Sequence, residues 1–206
     1  MDKSTLGDYT IIKQIGQGTL GAVYLAEHRF IKKQFVLKVL PEEFSTDRNF
    51  IQRFEKEVAI LAKLHHPHLV KVHNISFAEG YYFLVTDCIV DCFGETTNLN
   101  QYLGVNKQSL NENEIFDLLT QVASALSYLH KTKFGGAPLA HRSLKLNNIL
   151  IGKGERGLHI YLSDFCISHI LGEGAILTRT YKVLSEILTP ELAQTMFTKA
   201  GDEQYI

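Results

Sequence analysis

The chain has 206 residues, 45% apolar and 21% charged, enough for one large domain or two small lobes with a real core, and not the composition of a disordered chain. Lys plus Arg is 21 against 22 for Asp plus Glu, a net charge of −1 with no Lys/Arg run. Nothing in that balance attracts nucleic acid or an anionic membrane, and neither is expected as a partner.

Residues 9–40 read as three short strands, Tyr9–Gly16, Ala22–His28 and Gln34–Leu40, with Gly16, Gly18 and Gly21 at the first turn and Lys32-Lys33 at the second. The period then changes. Ile51, Phe54, Val58, Leu61 and Ala62 recur at steps of three and four, one face of a helix that Asp47 can cap and His66-Pro67 ends. Leu69–Phe77 and Tyr81–Val90 are strand-like runs joined by Glu79-Gly80. The order is β-β-β-α-β-β, mostly antiparallel because the connections are tight. Residues 91–110 are polar and irregular apart from Leu99, Tyr102 and Leu103, and read as a linker between lobes. Ile115, Leu118, Leu119, Val122, Ala125, Leu126 and Leu129 form the clearest helical stripe, entered through Asn111 or Asn113 and ended by Gly135-Gly136 and Pro138. Short strands follow at Asn148–Ile151 and Leu158–Ser163, then a Gly- and Thr-containing segment to Pro190. The fold class is α+β: a β-rich lobe over residues 1–90 and the beginning of a helical lobe over residues 91–206.

Cys88, Cys92 and Cys166 show no CxxC spacing, which argues for a reducing compartment over a disulfide scaffold. Residues 1–9 hold no apolar signal core, and the longest greasy stretch, Tyr81 to Val90, contains Asp87 and is too short to span a bilayer. The expected location is cytoplasmic.

Gly16-Gln17-Gly18-Thr19-Leu20-Gly21-Ala22-Val23 follows the pattern G-x-G-x-x-G-x-V. It reads either as a glycine-rich hairpin turn or as a loop whose backbone approaches phosphate. A strand, not a helix, follows Gly21. That excludes the dinucleotide-binding arrangement and fits a flap over a nucleotide. Lys38 ends the apolar run Phe35-Val36-Leu37, where an ammonium either snorkels or meets an anion. Glu57, on the next helix, either pairs with Lys38 or is a surface residue beside Glu55 and Lys56. His65, His66 and His68, interrupted by Pro67, read as a turn and not a metal site. Tyr81-Tyr82-Phe83 reads as a core strand and not a base-stacking platform.

The glycine flap, Lys38, Glu57, His141-Arg142-Ser143-Leu144-Lys145-Leu146-Asn147-Asn148, Asp164-Phe165-Cys166 and Thr189-Pro190-Glu191 stand in the order of the eukaryotic-type Ser/Thr protein kinases. The chain resembles that family from about Tyr9 to Glu191. The resemblance implies two lobes with ATP in the cleft. Gly16, Gly18 and Gly21 would cover the phosphates, Lys38 would hold them, and Glu57 would pair with Lys38. Val23, Val36 and Leu150 would enclose the adenine, Thr86 would be the gatekeeper, and Asp87 and Ile89 would offer hinge backbone groups. Asn148 and Asp164 would hold Mg²⁺, and Lys145 would belong to the catalytic loop.

Three departures bear on activity. Ser143 stands where the family has its catalytic Asp, and a hydroxyl is no effective base near pH 7. Cys166 replaces the Gly of Asp-Phe-Gly, and a reactive-thiol role there competes with that of an inert thiol. Only 15 residues follow Glu191, where the family continues with several helices. The helical lobe is therefore expected to be incomplete and the helix at 111–131 to expose apolar surface unless a partner chain covers it. Thr178 and Thr180 are either phosphosites answered by Arg142 or ordinary loop threonines. The expected function is a pseudokinase or very weak kinase that binds ATP and Mg²⁺ and acts through protein contacts. The alternatives are an active Ser/Thr kinase acting on protein hydroxyls and a truncated non-functional remnant.

Overall fold

The computed structural model describes residues 5–18, 20–46, 48–106, 110–134, 136–154 and 157–165, all within one compact unit spanning residues 1–170. A six-stranded antiparallel sheet is formed by β1 (Thr5–Leu6), β2 (Tyr9–Gly18), β3 (Gly21–His28), β4 (Gln34–Val39), β5 (Val72–Ala78) and β6 (Tyr81–Asp87), in the order β1-β2-β3-β4-β6-β5. The central strand β4 decides where Lys38 goes. Side chains alternate faces along a strand. Phe35, Leu37 and Val39 enter one core with Leu6, Tyr9, Ala26, Phe83 and Val85, so Val36 and Lys38 fall on the opposite face. Lys38 sits between Val23 of β3 and Leu84 of β6, which buries its stem.

Under the sheet run α1 (Glu42–Ser45) and α2 (Arg48–Leu61). Helix α2 buries Phe50, Ile51, Phe54, Val58 and Leu61. Phe44, Phe50 and Phe54 stack in sequence, with ring centroids 4.8 and 5.7 Å apart. The helix ends well before His66-Pro67. Lys63 and Leu64 make tight bonds back to Ile60 and Leu61, and the Lys71 ammonium takes the Ala62 and Leu64 carbonyls. A cation on the last carbonyls is a favourable stop. Asp47, the expected cap, lies outside the described residues.

The expected linker over 91–110 is instead built. The Asp91 carboxylate accepts from the backbone of Phe93 and Glu95 and from the Thr97 hydroxyl. Next come β7 (Thr97–Asn98) and α3 (Leu99–Asn106). Asn98 and Gln101 cap the start of α3 reciprocally, each side-chain oxygen accepting the other's backbone N–H. Helix α4 (Glu112–Lys131) begins at Asn111, in a capping box with Glu114. It ends at Thr132, ahead of Gly136, in a hairpin of β8 (Lys133–Phe134) and β9 (Ala137–Pro138). Leu118, Val122, Ala125 and Leu129 are buried, whereas Ile115, Phe116 and Leu119 are 44, 71 and 57% exposed, as expected for this helix. Strands β10 (Ile149–Gly152) and β11 (His159–Leu162) complete a second sheet, β11-β10-β7. No helix among the described residues is long and apolar enough to cross a membrane.

Candidate functional site

A cavity of about 450 Å³ lies between the six-stranded sheet and the elements after residue 95. It brings together Gly16, Gly18, Val23, Val36, Lys38, Thr86, Asp87, Ile89, Lys145, Asn148, Leu150 and Asp164, positions spread over 149 residues of sequence. Gly21, Glu57 and Ser143 are not on its lining. Gly21 acts at one remove. Its φ is +136°, and a side chain there would overlap the Val39 carbonyl oxygen, so only glycine lets β3 begin this close to β4. Thr19, within the flap, lies outside the described residues.

The Lys38 ammonium forms an ion pair with the Asp164 carboxylate, the two side chains 11 and 15% exposed. This partner was not among those expected for Lys38. Asp164 follows β11 by two residues with a left-handed backbone (φ 59°), and its short side chain enters the cleft beside β4. Glu57 is carried on α2, half-buried.

Asn148, buried at the end of the turn Leu146–Asn148, organises both loops. Its side-chain amide donates to the Ser143 carbonyl (2.7 Å) and hydroxyl (3.1 Å). Its carbonyl accepts from the Ser163 N–H (2.8 Å), next to Asp164. With both donor contacts spent on Ser143, Oδ1 is the amide's acceptor end. Asn148 Oδ1 and the Asp164 carboxylate are hard oxygen donors brought to one cavity by these bonds, the donor chemistry that suits Mg²⁺ held partly by substrate phosphates. The residues present fit that ion.

Burial raises the Asp87 carboxyl, but hydrogen bonds from His73 (2.8 Å) and Lys33 (3.1 Å) outweigh it and hold it below the usual carboxylate range. The Asp87 N–H is bonded to the Lys71 carbonyl and is not offered to the cavity. Burial lowers His141, whose Nδ1 accepts from the Ser143 N–H. Burial, with the Asp87 charge, pushes the Cys88 thiol up. Arg142 is left-handed (φ 57°) and exposed. Cys166, Thr178, Thr180 and Thr189-Pro190-Glu191 lie outside the described residues.

Thr96, Asn98 and Gln101 also line the cavity, and the residue-by-residue reading passed over them. The signal was the Asn98-x-x-Gln101 capping pattern, hidden in a stretch with little apolar periodicity.

A flap, a strand lysine and a metal-type oxygen pair around one cleft define the protein kinase fold. The protein kinase domain model matches residues 9–202, and the chain belongs to that family, in its eukaryotic-type Ser/Thr branch. It is 36% identical over 166 residues to the serine/threonine-protein kinase pkn1 of Chlamydia caviae, covering 81% of this chain and 26% of that one. It is 35% identical to Pkn1 of Chlamydia trachomatis serovar L2 (95% and 29%) and 30% identical to PrkC of Bacillus subtilis (97% and 29%). The chain thus spans under a third of the length of these relatives. Among solved structures, a mutant of the Mycobacterium tuberculosis PknI kinase domain aligns with a TM-score of 0.63 at 27% identity, over 79% of this chain and 60% of that one. Rad53 bound to AMP-PNP shares the fold, with a TM-score of 0.63 at 24% identity, over 77% and 38%.

Proposed function

We propose that this chain binds ATP with Mg²⁺ and transfers phosphate poorly or not at all, acting through protein contacts. The observation that carries the reading is Ser143. At the position that corresponds to the family's catalytic carboxylate stands a neutral hydroxyl that accepts a hydrogen bond from Asn148. It can orient a substrate alcohol but cannot take its proton effectively near pH 7. Loss of general-base assistance lowers the chemical step by about 10²–10⁴-fold.

Binding uses other groups. Val23, Val36 and Leu150 give an apolar slot for the adenine, Thr86 closes its rear, and the Asp87 carbonyl and the Ile89 backbone offer edge contacts. Gly16 and Gly18 let the flap approach phosphate. Lys38 carries the positive charge for the phosphates once it leaves Asp164, and Asn148 and Asp164 would hold the metal. Bound there, Mg²⁺ supplies charge neutralisation to the phosphates. Lys145 faces the same cavity and would meet the phosphate being transferred.

The second reading, an active Ser/Thr kinase, is favoured by the relatives' names and by the cavity positions of Lys38, Lys145, Asn148 and Asp164. One pair of measurements separates the two. Mg-ATP at 100 times its Kd is expected to stabilise the chain by about 2.7 kcal/mol in a thermal-shift assay, and Lys38→Met is expected to abolish that gain. Phosphate transfer to a generic protein is expected to rise by about 10²–10⁴-fold in Ser143→Asp. Wild-type transfer equal to that of Ser143→Asp overturns the first reading in favour of the second. No stabilisation by Mg-ATP overturns both.

A further inference from the structure

Four histidines that the cleft does not use meet at one seam. The loop after α2 supplies His65, His66 and His68, and β11 supplies His159. The ring centroids of His66 and His68 are 5.6 Å apart, and those of His68 and His159 are 4.7 Å apart. The loop is stitched to β11 by the Val70 N–H to the Leu162 carbonyl (3.0 Å) and the Leu162 N–H to the His68 carbonyl (2.9 Å). It is stitched to α4 by the His65 N–H to the Tyr128 hydroxyl (3.1 Å) and by His66 to Ser124 (3.2 Å).

The partners fix each ring's proton. A carbonyl can only accept, so His68 donates through Nδ1 to Ile160 and His159 through Nε2 to Pro67. His66 Nδ1 accepts the His68 N–H (3.2 Å), so its proton sits on Nε2, toward Ser124. His65 Nε2 lies 2.9 Å from the Lys71 ammonium and must accept. The accepting nitrogens of His65 and His66 carry no proton in this arrangement. A second proton on His66 would remove the acceptor for the His68 N–H, and one on His68 would set its charge against His159. Among the described residues, the groups that contact the cluster are His65 and Lys71 from the loop and β5 side, Tyr128 and Ser124 from α4, and His159 and Tyr161 from β11. None of these is a carboxylate that would welcome the charge.

We propose that this histidine seam is an acid-released clasp, holding the α2–β5 loop on β11 and α4 at neutral pH and letting go as His66 and His68 protonate. Burial lowers His66, with the His68 charge adding to it. Burial lowers His68 as well, partly opposed by its bond to Ile160 and reinforced by His159. For a base held below its free value, the open state binds the proton better. The closed seam therefore keeps its stability above the free-histidine value of about 6.5 and loses it as pH falls below that. The proposal rests on the seam alone and is independent of nucleotide binding.

The test is amide hydrogen exchange on the full chain at pH 7.5 and 5.5, expressed as protection factors so that the intrinsic pH dependence cancels. Each proton taken up on opening is worth at most about ten-fold per pH unit below the free value. The Val70 and Leu162 amides are thus expected to lose protection at pH 5.5 relative to the β3–β4 ladder, by up to about ten-fold for each of His66 and His68. Seam and ladder changing together, or neither changing, overturns the proposal. In His66→Asn/His68→Asn, the Asn side chains keep an acceptor for residue 68 and a donor for Ile160 but do not titrate. The acid loss is expected to vanish there, and its persistence overturns the proposal. If that variant does not fold, NMR titration of the wild-type imidazoles decides. The midpoint of seam loss must coincide with those of His66 and His68, and a midpoint elsewhere overturns the clasp.

Discussion

Helix α2 lies beneath the six-stranded sheet with Phe50, Ile51, Phe54, Val58 and Leu61 all buried, while α4 buries Leu118, Val122, Ala125 and Leu129 and leaves Ile115, Phe116 and Leu119 in the open. Both carry apolar residues at three- and four-residue steps. Periodicity identifies a helix and its stripe, but how much of the stripe contributes to stability depends on what packs against it. On α2 the whole stripe is covered, with the helix packed on β5 and Phe50 against the Phe44 ring. On α4 the half turned toward β9 and β11 is covered, and the flank carrying Phe116 is not.

Single substitutions can sharpen or break that contrast. Phe54→Ala is expected to cost the most, about 3–5 kcal/mol, because it empties a fully buried, ring-stacked site. Urea denaturation at unchanged m-value would read it as a lower midpoint. Leu129→Ala, at the covered end of α4, is expected to cost about 3 kcal/mol by the same measurement. Asn111→Ala removes one side of the capping box and is expected to cost about 1 kcal/mol, read as earlier thermal unfolding. Phe116→Ser is expected to change stability by less than about 0.5 kcal/mol. A loss above about 1 kcal/mol there would mean that the Phe116 flank is covered in solution, and the contrast between the helices would fail.

The strand order around Lys38 and the order of the motifs were legible because they rest on local signals. These were the apolar run Phe35–Leu37 ending at Lys38, glycine at the flap, and the fixed spacing from His141 to Asn148. Pairings were less legible. Lys38 has one carboxylate 19 residues away in Glu57 and another 126 residues away in Asp164. Neither spacing carries geometry, and the left-handed turn at Asp164 is what brings the distant one to the ammonium. Helix α3 escaped notice because it is short, with Leu99, Tyr102 and Leu103 as its whole apolar stripe, although Asn98 and Gln101 mark its start. The end of α2 was placed too late because its stop comes from Lys71, which returns from beyond the turn.

Gln121 of α4 closes a different kind of opening. Its amide donates to the Leu158 carbonyl and accepts the Ile160 N–H, standing in for a strand's peptide group. With His68 on the Ile160 carbonyl and the Val70 and His68 backbones on Leu162, the outer rim of β11 from Leu158 to Leu162 has no inviting main-chain groups left. A bare rim of this kind is where foreign strands add on and fibrils start. A side-chain amide and a histidine loop here do the work of a fourth strand on that three-stranded sheet, and they spare the protein that route to self-association.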